Sequence, residues 1–262
     1  MELRVIQHLG ARPTQQDAFF ASQGQTNDEA FTVGGVADGV GGSEGGAYAA
    51  YITAHLYARF LLAFASGHEF TLERFRGYCE RARRLATRHL CESAQGNPKL
   101  STAATTISAF AAVAGQVFIT NIGDSPVLAG NKHGLRVLSC EHSRAAQLVS
   151  QGVLSRQEYE DSPYRGILVN YISAEGHTSK DAHYACEQLG LRDRVIACSD
   201  GAMEAAGNAC IHHACGLSWI DSARHKLDLA LRTFAVDNAT LVLAGEDDLN
   251  ALDQLTFNDW EA

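Results

Sequence analysis

No stretch of the 262 residues is long and apolar enough to span a bilayer. The opening Met1-Glu2-Leu3-Arg4-Val5 lacks the apolar core of a signal peptide. A soluble, cytoplasmic protein with no membrane partner is therefore expected. Positive charge is scarce: 21 Lys and Arg face 30 Asp and Glu, a formal net charge of −9. That balance disfavours a nucleic-acid partner, which needs a basic face. It suits a cluster of acids that binds cations, and phosphate chemistry would need metals or arginine to offset the repulsion. Internal repeats, low-complexity tracts and a convincing linker are also missing, so one domain is expected over residues 1–246, with an acidic tail over 247–262. The seven cysteines are scattered and odd in number, which argues for reduced thiols. Cys210-Ile-His-His-Ala-Cys215 lacks the second paired half of a zinc site and reads better as partly buried side chains in or beside a helix.

What is present is organised around Val33-Gly34-Gly35-Val36-Ala37-Asp38-Gly39-Val40-Gly41-Gly42. An apolar strand here ends in a carboxylate, and glycines let the backbone turn and come close to whatever the acid holds. Taken alone, Asp-Gly is a common turn pair. The grammar repeats, however. Asp124 and Asp200 also come directly after apolar strands, and Asp237 comes directly before one. Strand ends of a packed sheet share a rim, so these four acids can converge. Gathered there, they would repel one another and raise each other's pKa unless cations neutralised them. Oxygen ligands favour magnesium or manganese over zinc.

Strands are predicted over Glu2–Leu9, Ala18–Ala21, Phe31–Ala37, Ala103–Val113, Gln116–Ile122, Gly166–Ser173, Ala182–Glu187, Arg194–Cys198 and Thr240–Ala244, with a turn over Gly24–Glu29. Val127–Ala129 and Leu135–Leu138 flank Gly130–Gly134 as a hairpin. A helix over Glu44–Ala65 puts Ala47, Tyr51, Ala54, Ala58, Leu61, Leu62 and Ala65 on one face. A second, over about Leu72–Glu92, turns Phe75, Cys79, Ala82, Leu85, Ala86 and Leu90 inward and leaves an arginine stripe, Arg74 to Arg88, outward. Between about 141 and 165 come two short helices, Ser143–Gln151 and one starting at Ser155, where Ser155 and Glu158 form a capping box. They look like a mobile insertion over a sheet end. Further helices are expected from Ala202 to Ala206 and from Ser218 to Phe234.

Taken in order, Arg12 to Asp17, Asp38-Gly39-Val40-Gly41-Gly42, Ala104-Thr105-Thr106, Gly123-Asp124-Ser125, Ser199-Asp200-Gly201 and Asp237-Asn238-Ala239-Thr240 form a set. From Arg12 to Leu243 the chain resembles the PPM family, the metal-dependent serine/threonine protein phosphatases of type 2C, and its bacterial branch in particular. The resemblance implies an α+β fold: a four-layer α-β-β-α sandwich of two mainly antiparallel sheets flanked by helix pairs, with a small helical flap. It implies that Asp38 bridges two Mn2+ or Mg2+ ions, that Gly39 offers its backbone carbonyl to one, and that Asp200 and Asp237 hold the other. Asp124, with Asp200, resembles the ligands of a third, weaker ion. Arg12 would grip the phosphate and Asp17 would hold metal-bound water. The implied reaction is attack on phosphorus by a water activated between two ions about 3.5–4 Å apart. No Cys-x5-Arg loop surrounds Cys140 or Cys198, which argues against a cysteine nucleophile. A phosphorylated protein is the implied substrate, with a serine/threonine kinase or its target as a partner, and a monomer is expected.

Three positions depart from the family pattern. Gln16 stands where many members have a glutamate, Val40 where eukaryotic members have a histidine proposed as general acid, and Pro126 where an arginine commonly follows Gly-Asp-Ser. Another reading is a pseudophosphatase that only binds phosphosites, but such proteins usually lose a metal ligand, whereas Asp38, Asp200 and Asp237 are all present. Partner-switching regulator phosphatases usually carry sensory domains, and none is expected ahead of the short N-terminal strand here.

Overall fold

The structure, a computed structural model, describes residues 1–26, 29–40, 45–176, 182–190, 192–217 and 220–245. Along them run β1 (Glu2–His8), β2 (Ala18–Thr26), β3 (Glu29–Ala37), α1 (Gly46–Ala65), α2 (Leu72–Gly96), β4 (Ala104–Thr105), β5 (Ile107–Val113), β6 (Gln116–Ile122), β7 (Val127–Asn131), β8 (Gly134–Val137), α3 (Arg144–Ser150), α4 (Arg156–Glu160), β9 (Ile172–Ser173), β10 (His183–Gln188), β11 (Arg194–Cys198), α5 (Asp200–Gly216), α6 (Ile220–Phe234) and β12 (Ala239–Gly245).

Ten strands form two five-stranded sheets, in the orders β10-β6-β5-β3-β2 and β1-β12-β11-β7-β8. Neighbours within each sheet pair antiparallel. Alternation along the strands explains the layering, because successive side chains point to opposite faces. On β12, Leu241 and Leu243 pack outward beneath α5 and α6, while Val242 and Ala244 pack inward. On β3, Val33 and Ala37 face the first helix pair and Val36 faces the other sheet. Three apolar interfaces therefore separate four layers. Between the sheets lie Val36, Phe110, Ile119, Val195 and Val242. Outside the first sheet, Phe64 meets Phe75 and Phe118 edge-on, at 5.3 and 5.1 Å between ring centroids. The predicted α-β-β-α sandwich is the observed fold.

Some elements differ from their sequence expectation. β2 runs on to Thr26, because Gly24 and Gln25 pair with Phe31 and Ala30 instead of turning. Of the strand expected over Gly166–Ser173, only Ile172–Ser173 is extended in a sheet, paired with Ala104–Thr105. The α1 face is rotated: Thr53, Tyr57 and Phe64 are buried, and Tyr51 is 64% exposed. Leu85 of α2 is likewise on the outside. Arg83 leaves the expected stripe and turns in against Glu80 at 2.7 Å. The hairpin between β7 and β8 turns on Lys132 and His133 alone. α5 continues through Cys210–Cys215, with a break at Gly207. The expected capping box is formed, Ser155 Oγ accepting from Glu158 N–H at 3.2 Å. Gly41, Gly42, Glu44, Ser218 and the tail from residue 246 on lie outside the described residues. Among the described residues no helix is long and apolar enough to cross a membrane.

Candidate active site

One end of the sandwich gathers the acids. Asp38 follows β3, Asp124 follows β6, Asp200 opens α5 directly after β11, and Asp237 precedes β12. All four line a single cleft of about 200 Å³, together with Arg12, Gln16 and Gly39. Asp17 lies buried next to them and interacts with Asp38 and Asp200. The structure thus brings together every site residue expected from the sequence.

Asp38, Asp200 and Asp237 are held by backbone contacts that the motifs explain. The Asp38 N–H donates to Thr106 Oγ1 at 3.1 Å. Its carbonyl accepts from Thr106 N–H at 2.8 Å and from Thr105 Oγ1 at 2.7 Å. The Ala104-Thr105-Thr106 motif therefore clamps the acid-bearing turn from both sides. Gly39 N–H donates to the Gln16 carbonyl at 3.2 Å, which ties that turn to the Arg12–Asp17 loop. At Asp200, the Gly201 N–H donates to Oδ1 at 2.6 Å, as a carboxylate at a helix N-terminus is placed to accept.

Arg12 depends on Gly10. This glycine has φ +63°, and an added Cβ would stand 2.1 Å from the Asp237 carbonyl oxygen, so no other residue fits without displacing the loop. Ala11 N–H donates to Val236 O at 3.1 Å. Arg12 Nη2 consequently reaches Asp237 Oδ2 at 2.6 Å, with both side chains partly exposed at the mouth of the cleft.

The sequence reading gave Asn238 no role, although it stood inside a motif. Its Nδ2 donates to the carbonyls of Leu9 and Thr14 at 2.9 and 3.1 Å, and its Oδ1 accepts from Gln16 N–H at 2.8 Å. One side chain therefore closes the Arg12 loop onto the start of β12. Its own N–H donates to Asp237 Oδ1 at 2.7 Å. No periodicity could reveal this, because its partners lie more than 220 residues away.

Electrostatics show the strain of the gathering. Burial first, then the charges of Asp17 and Asp200, push Asp38 well above the ordinary carboxylate range. The charge of Asp124 adds to this push. Asp17 is pushed up to about 6, chiefly by burial, against hydrogen bonds from Thr240 and Ser199. Asp124 is pushed up to about 7 by burial and then by Asp200. Asp17 Oδ2 is buried without a hydrogen-bond partner. Arg12 is raised, mainly by its hydrogen bond to Asp237.

Among the described residues no three His, Cys, Asp or Glu side chains are posed to close on a metal. At the acid cleft the Asp237 carboxylate is turned to Arg12. Neither Cys198 nor Cys186 has the setting of a nucleophile. Burial pushes the Cys198 thiol far up. Cys186-x5-Arg192 has the spacing of a cysteine-phosphatase loop but starts on β10, where burial again raises the thiol, whereas a nucleophilic cysteine needs a lowered pKa.

The sequence profile of the family described as protein phosphatase 2C matches residues 7–209, most of the chain. The chain belongs to the protein phosphatase 2C family. Asp237 and β12 lie beyond the matched stretch, and pairing of β12 with β1 and β11 brings them to the cleft. The chain is 26% identical over 166 residues to the serine/threonine phosphatase stp of Listeria monocytogenes, covering 63% of this chain and 64% of that protein. The match thus spans just under two thirds of that relative. The crystal structure of the Mycobacterium tuberculosis serine/threonine phosphatase PstP/Ppp superposes with a TM-score of 0.79 at 22% identity, over 94% of this chain and 98% of that one. The catalytic domain of PstP in complex with two manganese ions superposes at 0.73 and 21% identity, over 94% and 98%. These solved structures share the protein phosphatase 2C fold seen here.

Proposed function

We propose that this chain is a serine/threonine protein phosphatase that hydrolyses phosphoserine and phosphothreonine on proteins and depends on Mn2+ or Mg2+. Family membership supports the reaction class, and the name of the Listeria relative supports the substrate class. The observation that carries the reading is the meeting of Asp38, Asp124, Asp200 and Asp237 with Arg12 in one cleft.

The residues fit hard divalent cations. The donors are all oxygens. Asp38 and Asp124 are held above their ordinary range by burial and mutual repulsion, and Asp17 Oδ2 is a buried orphan. A dication is the positive charge this set lacks. Asp38, the Gly39 carbonyl, Asp200 and Asp237 would hold two ions, and Asp124 with Asp200 a third, weaker one. The two manganese ions of the PstP catalytic domain support the count. Bound there, the ions would screen the phosphate dianion and acidify the attacking water.

The chain's own groups supply the rest. The Arg12 guanidinium, at the cleft mouth, matches two phosphate oxygens at once. To do so it must release Asp237 Oδ2, which frees that carboxylate. Asp17, buried beside Asp38, would hold metal-bound water through hydrogen bonds. Val40 offers no proton, so the departing serine or threonine oxygen would take one from water or another group. The phosphoprotein substrate would be the product of a serine/threonine kinase.

The test is phosphate release from a phosphothreonine peptide, with and without manganese. Metal-dependent release is expected, and its absence from well-folded protein would overturn the proposal.

A further inference from the structure

His142 lies just ahead of α3, at the base of the flap. Its backbone and its ring close on the same residue of the rim. The His142 N–H donates to the Gly123 carbonyl at 2.9 Å, and the Gly123 N–H donates back to His142 Nδ1 at 3.1 Å. The His142 carbonyl in turn accepts from Val169 N–H at 2.9 Å, where the chain leaves the flap. Beside it, Ser143 bridges to Leu168, and Arg144 N–H donates to Ile167 O at 2.7 Å. The two ends of the flap are therefore tied together, and His142 joins that tie to the rim.

Gly123 has little freedom to give. Its φ is +114°, and an added Cβ would stand 2.5 Å from Thr106 Cγ2. Thr106 is the residue that clamps Asp38. A turn this constrained passes any shift of Gly123 to its neighbour, Asp124, which faces the cleft.

We propose that His142 is a positioning residue: it locks the Gly123–Asp124 turn to the base of the flap, so that Asp124 and the flap keep one relative placement. The kinetic side of this proposal rests on the phosphatase reading; the structural side does not. What matters is an acceptor atom at the place of Nδ1, facing the Gly123 N–H, which fixes the proton on Nε2. Asparagine puts its Oδ1 as many bonds from Cα as Nδ1. Glutamine puts its acceptor one bond further out.

The experiment compares His142→Ala, His142→Asn and His142→Gln in the full chain. NMR exchange of the Gly123 amide is expected to quicken in the Ala and Gln variants and to stay near the parent rate in Asn. With a phosphothreonine peptide and manganese, His142→Ala should lose about 10–100-fold in turnover or manganese affinity, the range seen when a group orienting a metal ligand is removed. His142→Asn should restore most of it, and His142→Gln should not. In an Asp124→Asn background, His142→Ala should add little, because its target is already gone. The proposal is overturned by unchanged Gly123 exchange in His142→Ala, by glutamine restoring as well as asparagine, or by losses that multiply in the double variant. Should His142→Ala fail to fold, the contrast between Asn and Gln carries the test. If the parent releases no phosphate, the phosphatase reading fails, and amide exchange alone decides the role of His142.

Discussion

Replacing Asp124 with asparagine should stabilise the metal-free protein, and only above acid pH. Burial, and after it the charge of Asp200, lifts this carboxyl from 3.8 to about 7. Keeping it ionised against such a shift costs at most about 4 kcal/mol. Solvent reaches the half-buried side chain and screens it, which brings the expected cost to about 1–3 kcal/mol. The sign follows from proton binding. The folded state holds the Asp124 proton more tightly than the unfolded chain does, so this contribution to stability is intact below about pH 4 and is lost as pH rises through about 7. Asparagine carries no charge at any pH and removes the slope. In chelator, Asp124→Asn should match the parent near pH 4 and exceed it by about 1–3 kcal/mol at pH 8, with Tm higher by about 2–4 °C per kcal/mol. Urea or thermal melts of both proteins across that range give the difference, in which groups remote from Asp124 cancel and its neighbours Asp38 and Asp200 contribute with it. Saturating manganese should reverse the sign, since the parent then gains binding energy that the variant lacks. A difference that does not change with pH, or a metal-free variant less stable at pH 8, would refute the reasoning.

Asp38→Asn and Asp200→Asn should each abolish turnover while circular dichroism and melting remain those of a folded protein. Full activity in Asp200→Asn would remove it from the metal set. Arg12→Ala should raise KM more than it lowers kcat, as steady-state kinetics on a phosphothreonine peptide can read, because the guanidinium is assigned to holding phosphate. Asn238→Ala cuts three side-chain hydrogen bonds to the Arg12 loop, at about 0.5–1.5 kcal/mol each. A loss of about 2–4 kcal/mol in urea unfolding is expected, and no loss would mean that the loop is held by other contacts.

The sequence and the structure disagree in instructive places. α1 is apolar on most of its surface, with Tyr51 and Leu62 as well as Tyr57 and Leu61, so several faces satisfied a helical period. Which one is buried was settled by the sheet it covers, and Tyr51 was left outside. Leu85 failed for the same reason on α2. The segment from Gly166 to Ser173 looked like one strand, but its first residues hydrogen-bond back to the flap base, Ile167 O accepting from Arg144 N–H. That partner is more than twenty residues away and leaves no local signature.

The acid-bearing strand ends needed no such partner to be read. Apolar runs that stop at Asp38, Asp124 and Asp200, and one that starts after Asp237, are local patterns, and a buried strand has to deliver its last residue to a rim. The order of the acids along the chain and their place at one rim were therefore legible from the chain alone, as were the alternating strands and the capping box at Ser155. What three dimensions decided is where each carboxylate looks and what answers it. Arg12 faces Asp237, Asn238 stitches loops separated by almost the whole chain, and Asp38 sits among the charges of Asp17 and Asp200. Those relations depend on which strands become neighbours, and the pairing of β12 with β1 and β11 joins residues too distant in sequence for any window to connect.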